Sequence, residues 1–109
     1  MLPNADLAIV EPAKVRDYLL SASHPVGRFK AAVFFALGYR ADTWQVPQQD
    51  LLTIAQTGEL SVGEASPYGQ KYEVSGNLRG PSGRQAMFTT VWLVAAASDV
   101  PRFVTAFPA

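Results

Sequence analysis

The sequence predicts an α+β fold in which three N-terminal helices pack on a C-terminal antiparallel meander of three or four strands. Two observations carry this. Up to Gly58 the apolar residues recur at helical spacing, whereas from Lys71 onward they alternate every second residue. Short turn clusters, Gly80-Pro81-Ser82-Gly83 and Ser98-Asp99, then divide the alternating part into runs that suit hairpins. Strands joined in this way need a cover on one face, and the helices supply it. A chain of 109 residues is long enough for one core, so residues 1–109 are read as a single domain.

Residues 7–10 form a short apolar run, read as either an edge strand or an extended arm. Glu11-Pro12 then opens a helix over residues 12–21, with proline near its first position and Val15, Tyr18, Leu19 and Ala22 on one face. A corner at residues 21–25 follows. The next helix is capped by Ser23, tolerates Pro25 in its first turn and ends at Gly38. Val26, Phe29, Val33, Ala36 and Leu37 make its broad face, while Phe34 and Phe35 spread apolar surface around it, the pattern of a nearly enclosed central helix. Lys30 falls inside that apolar sector, and His24 lies one turn from Arg28. A third helix is expected from Asp42 or Thr43, or from Gln48 if Pro47 lies too deep, with Trp44, Leu51, Ile54 and Ala55 inward and Gly58 at its end. Residues 59–70 lose periodicity and gather Gly63, Pro67 and Gly69, which predicts a surface loop. Strands are expected over residues 71–79, 84–96 and 102–107, with Gly76 as a bulge in the first.

Apolar residues make up 49% of the chain, which fits a packed globule. Nine basic residues balance nine acidic ones, which argues against promiscuous attraction to polyphosphate. The absence of cysteine excludes disulfides, thiol chemistry and cysteine-ligated zinc, and a single histidine means that a metal site would have to be built from carboxylates. No phosphate loop, metalloprotease or zinc-finger spacing occurs, so no metal and no cofactor are expected. The start lacks the features of a signal peptide, and no apolar run approaches the roughly 20 residues needed to span a bilayer. A cytoplasmic location without membrane contact is the expectation.

Two groups of residues bear chemistry. His24 is a general acid or base near neutral pH, and Lys30, Lys71, Arg84 or Arg102 would stabilise charge on a phosphorane. That set suits metal-free RNA cleavage, in which a 2′-hydroxyl attacks the adjacent phosphate. Tyr72, Thr90 and Thr105 fall on three adjacent strands, where two or three of them would share a face beside a cation. Plainer readings compete. A lone histidine at a corner commonly bonds main chain, a lysine stem snorkels along apolar surface, and Thr and Tyr are ordinary strand formers. Glu73, the only acid inside a predicted strand, would act as a base or form an exposed cross-strand pair with Arg84 or Arg102.

The segments Leu2-Pro3-Asn4-Ala5-Asp6, Ser23-His24-Pro25-Val26-Gly27-Arg28-Phe29-Lys30, Gly69-Gln70-Lys71-Tyr72-Glu73-Val74, Thr90-Val91-Trp92 and Pro101-Arg102-Phe103-Val104-Thr105-Ala106-Phe107-Pro108 together resemble a small bacterial domain family of unknown function across the whole chain. More loosely, the order of helices, histidine and meander resembles the barnase, EndoU, colicin and RelE-type ribonuclease toxins. That resemblance implies a metal-independent endoribonuclease made with a neutralising partner. His24, Lys30 and Thr105 would be catalytic, and Arg28, Lys71, Tyr72, Thr90 and Arg102 would bind substrate. The neutral charge departs from the basic character of many such toxins, and keeps open a second reading: a non-catalytic antitoxin or immunity-like module. The strands at residues 71–79 and 102–107 each lack a predicted neighbour, which would let a second copy pair with an edge.

Overall fold

The computed structural model describes residues 1–25 and 28–109, and of Arg28 and Phe29 the backbone alone. Helix α1 begins with Pro12–Lys14 and runs directly into a π-helical segment, Val15–Leu19. The Leu20 N–H donates to the Val15 carbonyl at 2.9 Å, a bond reaching back five residues. This wider winding buries Val15, Leu19 and Leu20, leaves Ala22 exposed and releases Tyr18 to a half-buried position. The expected inner face of Val15, Tyr18, Leu19 and Ala22 assumed regular α-helical winding.

Helix α2, Arg28–Ala36, buries Ala31 and Phe34 while Ala32, Phe35 and Ala36 stay exposed. It is a one-sided helix rather than the enclosed one expected from its run of phenylalanines. Phe34 stacks at a tilt on Phe88, with centroids 5.1 Å apart. Gly38 ends the helix as expected, at φ 96°, with its N–H on Phe35 O and the Tyr39 N–H on Phe34 O. The chain then docks on the sheet: the Ser82 N–H donates to Leu37 O at 3.0 Å.

A 3₁₀ turn, Ala41–Thr43, leads into α3, Gln45–Thr57, with Pro47 tolerated in the first turn. Pro47, Leu51, Ile54 and Ala55 are its buried residues. Trp44 is only half-buried, and the Arg16 guanidinium lies 6.0 Å from its ring centroid.

Four strands follow: β1 Glu59–Ser66, β2 Gly69–Arg79, β3 Gln85–Ala95 and β4 Pro101–Pro108. They form one antiparallel sheet in chain order. Strand β1 corrects the expected loop. It is an edge strand exposed along most of its length, so no buried face imposes alternation on its sequence, and pairing with β2 alone defines it. It also closes the edge of β2 from Gly69 to Ser75. At the other edge, Ile9 exchanges hydrogen bonds with Pro101 and Phe103, each 2.9 Å, so residues 7–10 include an arm lying against β4.

One face of the sheet is covered by the helices. Val74, Leu78, Phe88, Trp92, Phe103 and Ala106 belong to this core. The Trp92 indole N–H donates to Thr90 Oγ1 at 2.8 Å, and the Thr90 hydroxyl donates to Val74 O at 2.7 Å, so the buried Thr90 and Trp92 polar groups are satisfied. In β4, Val91 pairs with Thr105 while Trp92 pairs with Phe103, leaving Val104 as an extra, bulged residue. Among the described residues no helix is long and apolar enough to cross a membrane.

A Cβ added at Gly80 would lie 2.0 Å from Leu37 O, so Gly80→Ala is expected to cost about 3 kcal/mol or more, read as a lower urea midpoint. Burial, reinforced by a 2.7 Å hydrogen bond to Asp50, raises the pKa of the Tyr39 phenol. Because the unfolded chain then loses that proton first, this contribution is complete below about pH 10 and declines above it. Tyr39→Phe should cost about 1–3 kcal/mol at neutral pH and flatten the alkaline loss of stability in unfolding titrations.

Candidate functional site

Strand parity sorts the predicted site residues onto two faces. Tyr72 pairs with Trp92 and packs against the core, and Thr90 is fully buried. Both lie on the helix-covered face, Tyr72 half-buried and the Thr90 hydroxyl engaged with Val74 and Trp92. Thr105 goes the other way. It is in register with Val91, and Val91 in turn with Glu73, so Glu73, Val91 and Thr105 form one row across the open face. Ser75, Thr89 and Phe107 form the next row. Of the three strand residues expected to share a face, Tyr72 and Thr90 do so, and Thr105 does not, because the bulge at Val104 reverses parity within β4.

What gathers around Thr105 comes from α1 and the corner after it. The Tyr18 hydroxyl is 3.1 Å from Thr105 Oγ1, and the Tyr18 ring meets the His24 ring edge-on at 5.1 Å between centroids. Lys14 Nζ lies 5.3 Å from the Tyr18 centroid. Tyr18 thus joins two of the three predicted catalytic residues, His24 and Thr105. Sequence periodicity had assigned Tyr18 to the core and given Lys14 no role. The available signal was their i, i+4 spacing just ahead of the histidine corner.

Lys30, the third predicted catalytic residue, lies beside the same face, with Nζ 5.8 Å from the Phe107 centroid. Phe107 lines a hollow of about 510 Å³ together with Val62, Gly63, Glu64, Lys71, Glu73 and Val91. Lys71 enters from β2 and has no side-chain ion pair among the described residues. Arg102, by contrast, is engaged: its Nη1 donates to Glu11 Oε1 at 2.6 Å, pinning the start of α1 to β4. This replaces the expected pairing of Arg102 with Glu73. Both partners are about half exposed, so the pair contributes under about 1 kcal/mol. The side chain of Arg28 and the first turn of the predicted central helix, Val26-Gly27, lie outside the described residues.

The arrangement puts an imidazole, two hydroxyls and ammonium groups along one edge of an open sheet face. It offers proton transfer from His24, hydrogen bonds from Tyr18 and Thr105, and positive charge from Lys14 and Lys30. Among the described residues no three acidic or histidine side chains are grouped to hold a metal ion. Removing either hydroxyl of the Tyr18–Thr105 pair, by Tyr18→Phe or Thr105→Val, is expected to cost about 1 kcal/mol. The double variant should lose less than the sum of the two in chemical unfolding, since both remove the same bond.

A solved structure with the same architecture is a contact-dependent growth inhibition toxin–immunity protein complex from Klebsiella pneumoniae 342. It matches with a TM-score of 0.73 at 19% identity, over 95% of this chain and 95% of that one. No curated protein matches the chain. A family model matches residues 1–109 in full, and by that match the chain belongs to DUF6883, a domain of unknown function.

Proposed function

We propose that this chain is a toxin-like domain that cleaves RNA in the cytoplasm without a metal ion. The observation that carries the reading is the contact of Tyr18 with both His24 and Thr105, which brings a ring able to move a proton to a hydroxyl on the open sheet face. In the proposed reaction the 2′-hydroxyl attacks the adjacent phosphorus, its proton passes to a base, and the bond to the 5′-oxygen breaks as that oxygen takes up a proton. His24 serves one of these transfers. Thr105 and Tyr18 orient the phosphate oxygens, and Lys30 offsets their charge. Lys71 and Arg28 are proposed to hold flanking phosphates. The architecture shared with a toxin–immunity complex supports a toxin-like or immunity-like role and a cognate partner protein.

The second reading, an immunity-like module, draws on the balanced charge and on Arg102 being committed to Glu11. Its partner would pair with the exposed edge of β1. Expression in bacteria separates the two. On the first reading the intact chain slows growth and cuts RNA, and His24→Ala reduces cleavage by about 10²–10⁴-fold, the usual contribution of a positioned acid or base. Unchanged cleavage by His24→Ala would remove His24 from the mechanism. A wild-type chain that cuts no RNA, yet protects cells against a co-expressed toxin regardless of the His24 substitution, would establish the second reading instead.

A further inference from the structure

We infer that the free edge of β2 at Asn77 and Arg79 takes up an extended, lysine-bearing segment of a partner protein as an added strand. The pairing of β1 with β2 stops at Glu59 opposite Ser75, whereas β2 runs on to Arg79. Beyond Ser75 the strand therefore has β3 on one side and no strand on the other. The direction of its main chain follows from two bonds. The Gly80 N–H donates to Arg84 O at 3.0 Å across the hairpin, which turns Gly80, Leu78 and Gly76 toward β3 and, by alternation, Arg79 and Asn77 away from it. The Ala109 N–H donates to Met87 O at 2.9 Å, so Met87 faces β4 and its partner Asn77 again faces outward. The N–H and C=O groups of Asn77 and Arg79 have no main-chain partner among the described residues.

A groove runs beside this edge. Asp50, Thr53 and Thr57, on one flank of α3, line a hollow of about 510 Å³ together with Asn77 and Arg79. Gly76 lets α3 lie close to the strand, since a Cβ there would be 2.9 Å from Ile54 Cγ1. A helix alongside an open strand edge is a setting in which an extended peptide adds a strand, with main-chain bonds giving the hold and alternate side chains the choice. Residues opposite Asn77 and Arg79 would form four main-chain hydrogen bonds. The residue between them, opposite Leu78, turns its side chain toward α3. That wall is acidic. Asp50 and Glu59 line it, and the one cation of the hollow, Arg79, shares the parity of Glu73 and so belongs to the other face. Asp50 accepts from Tyr39 at Oδ2 alone, and Glu59 has no ion pair among the described residues. Thr53 and Thr57 donate their hydroxyl protons to Gln49 O and Thr53 O. Acceptors without donors call for a cationic donor, which a lysine at the middle position supplies. The edge lies two strands from β4, which carries Thr105, so a segment held here leaves that end of the open face uncovered. The inference goes beyond the RNA-cleavage reading and does not depend on it.

Magnetic resonance titration of the isotope-labelled full chain with the peptide acetyl-Val-Thr-Lys-Thr-Val-amide tests this. Saturable shifts are expected at the Asn77 and Arg79 amides, with hydrogen exchange slowed at both. Replacing the peptide's lysine by glutamate, or N-methylating the threonine after it, which pairs with Asn77, should weaken binding about fivefold or more. Arg79→Pro removes one outward N–H, which an edge strand tolerates, and should weaken binding about fivefold although it deletes a positive charge. If that variant fails to fold, the N-methylated peptide makes the same test on the wild-type chain. No shift at Asn77 and Arg79, or equal binding of the lysine and glutamate peptides, would overturn the inference. Shifts of the same two amides on concentrating the chain alone would also overturn it, by assigning the edge to a second copy. RNA cleavage measured alongside keeps the two proposals apart: peptide binding without cleavage removes the ribonuclease reading only, and cleavage without peptide binding removes this site only.

Discussion

One extra residue in β4, Val104, sets the parity on which both faces of the sheet depend. Strict alternation would put Phe103 and Thr105 on one face and Arg102 and Ala106 on the other. The bulge instead lets Phe103 and Ala106 both enter the core, where Phe103 meets Trp92 in a T-shaped contact, while Thr105 and Phe107 face the open side. A slip of register would turn Thr105 inward and cost the core a large aromatic side chain. The hydrophobic demand of Phe103 and Ala106 therefore fixes where the hydroxyl of Thr105 points.

A second local distortion works with the first. The π turn of α1 places Val15, Leu19 and Leu20 in the core and frees Tyr18 to reach the β4 edge. Both irregularities insert extra backbone into a regular element, and both bear on the same contact, Tyr18 with Thr105. Such distortions cost regular hydrogen bonding and persist because the packed core over-determines them. The N-terminal arm adds a third constraint: Ile9 on β4, with Glu11 on Arg102, ties the beginning of α1 to the strand that carries Thr105.

Charge is arranged sparingly. With equal numbers of acidic and basic residues, the chain carries no net charge to draw in a polyanion. Such electrostatic selectivity as exists is local, with Lys30 beside Phe107 at one side of the open face and Lys71 among carboxylates on β2. On the proposed ribonuclease reading, a neutral surface with a few placed cations favours a defined substrate geometry over indiscriminate attachment to a polyanion.

The α+β class, the order of helices before strands, the glycine stop at Gly38 and three of the four strands are legible in the chain, because they follow from local periodicity and turn chemistry. The sequence also named His24 and Thr105 as candidates, and the structure gives them a shared neighbour, Tyr18. Strand β1 was illegible, since an exposed edge leaves no alternation to read, and its identity comes from the backbone of β2. The face presented by Thr105, the burial of Thr90, the commitment of Arg102 to Glu11 and the entry of Tyr18 were decided only by tertiary structure. Each depends on a one-residue shift of winding or register, or on a contact between residues distant in the chain, and local propensity encodes neither.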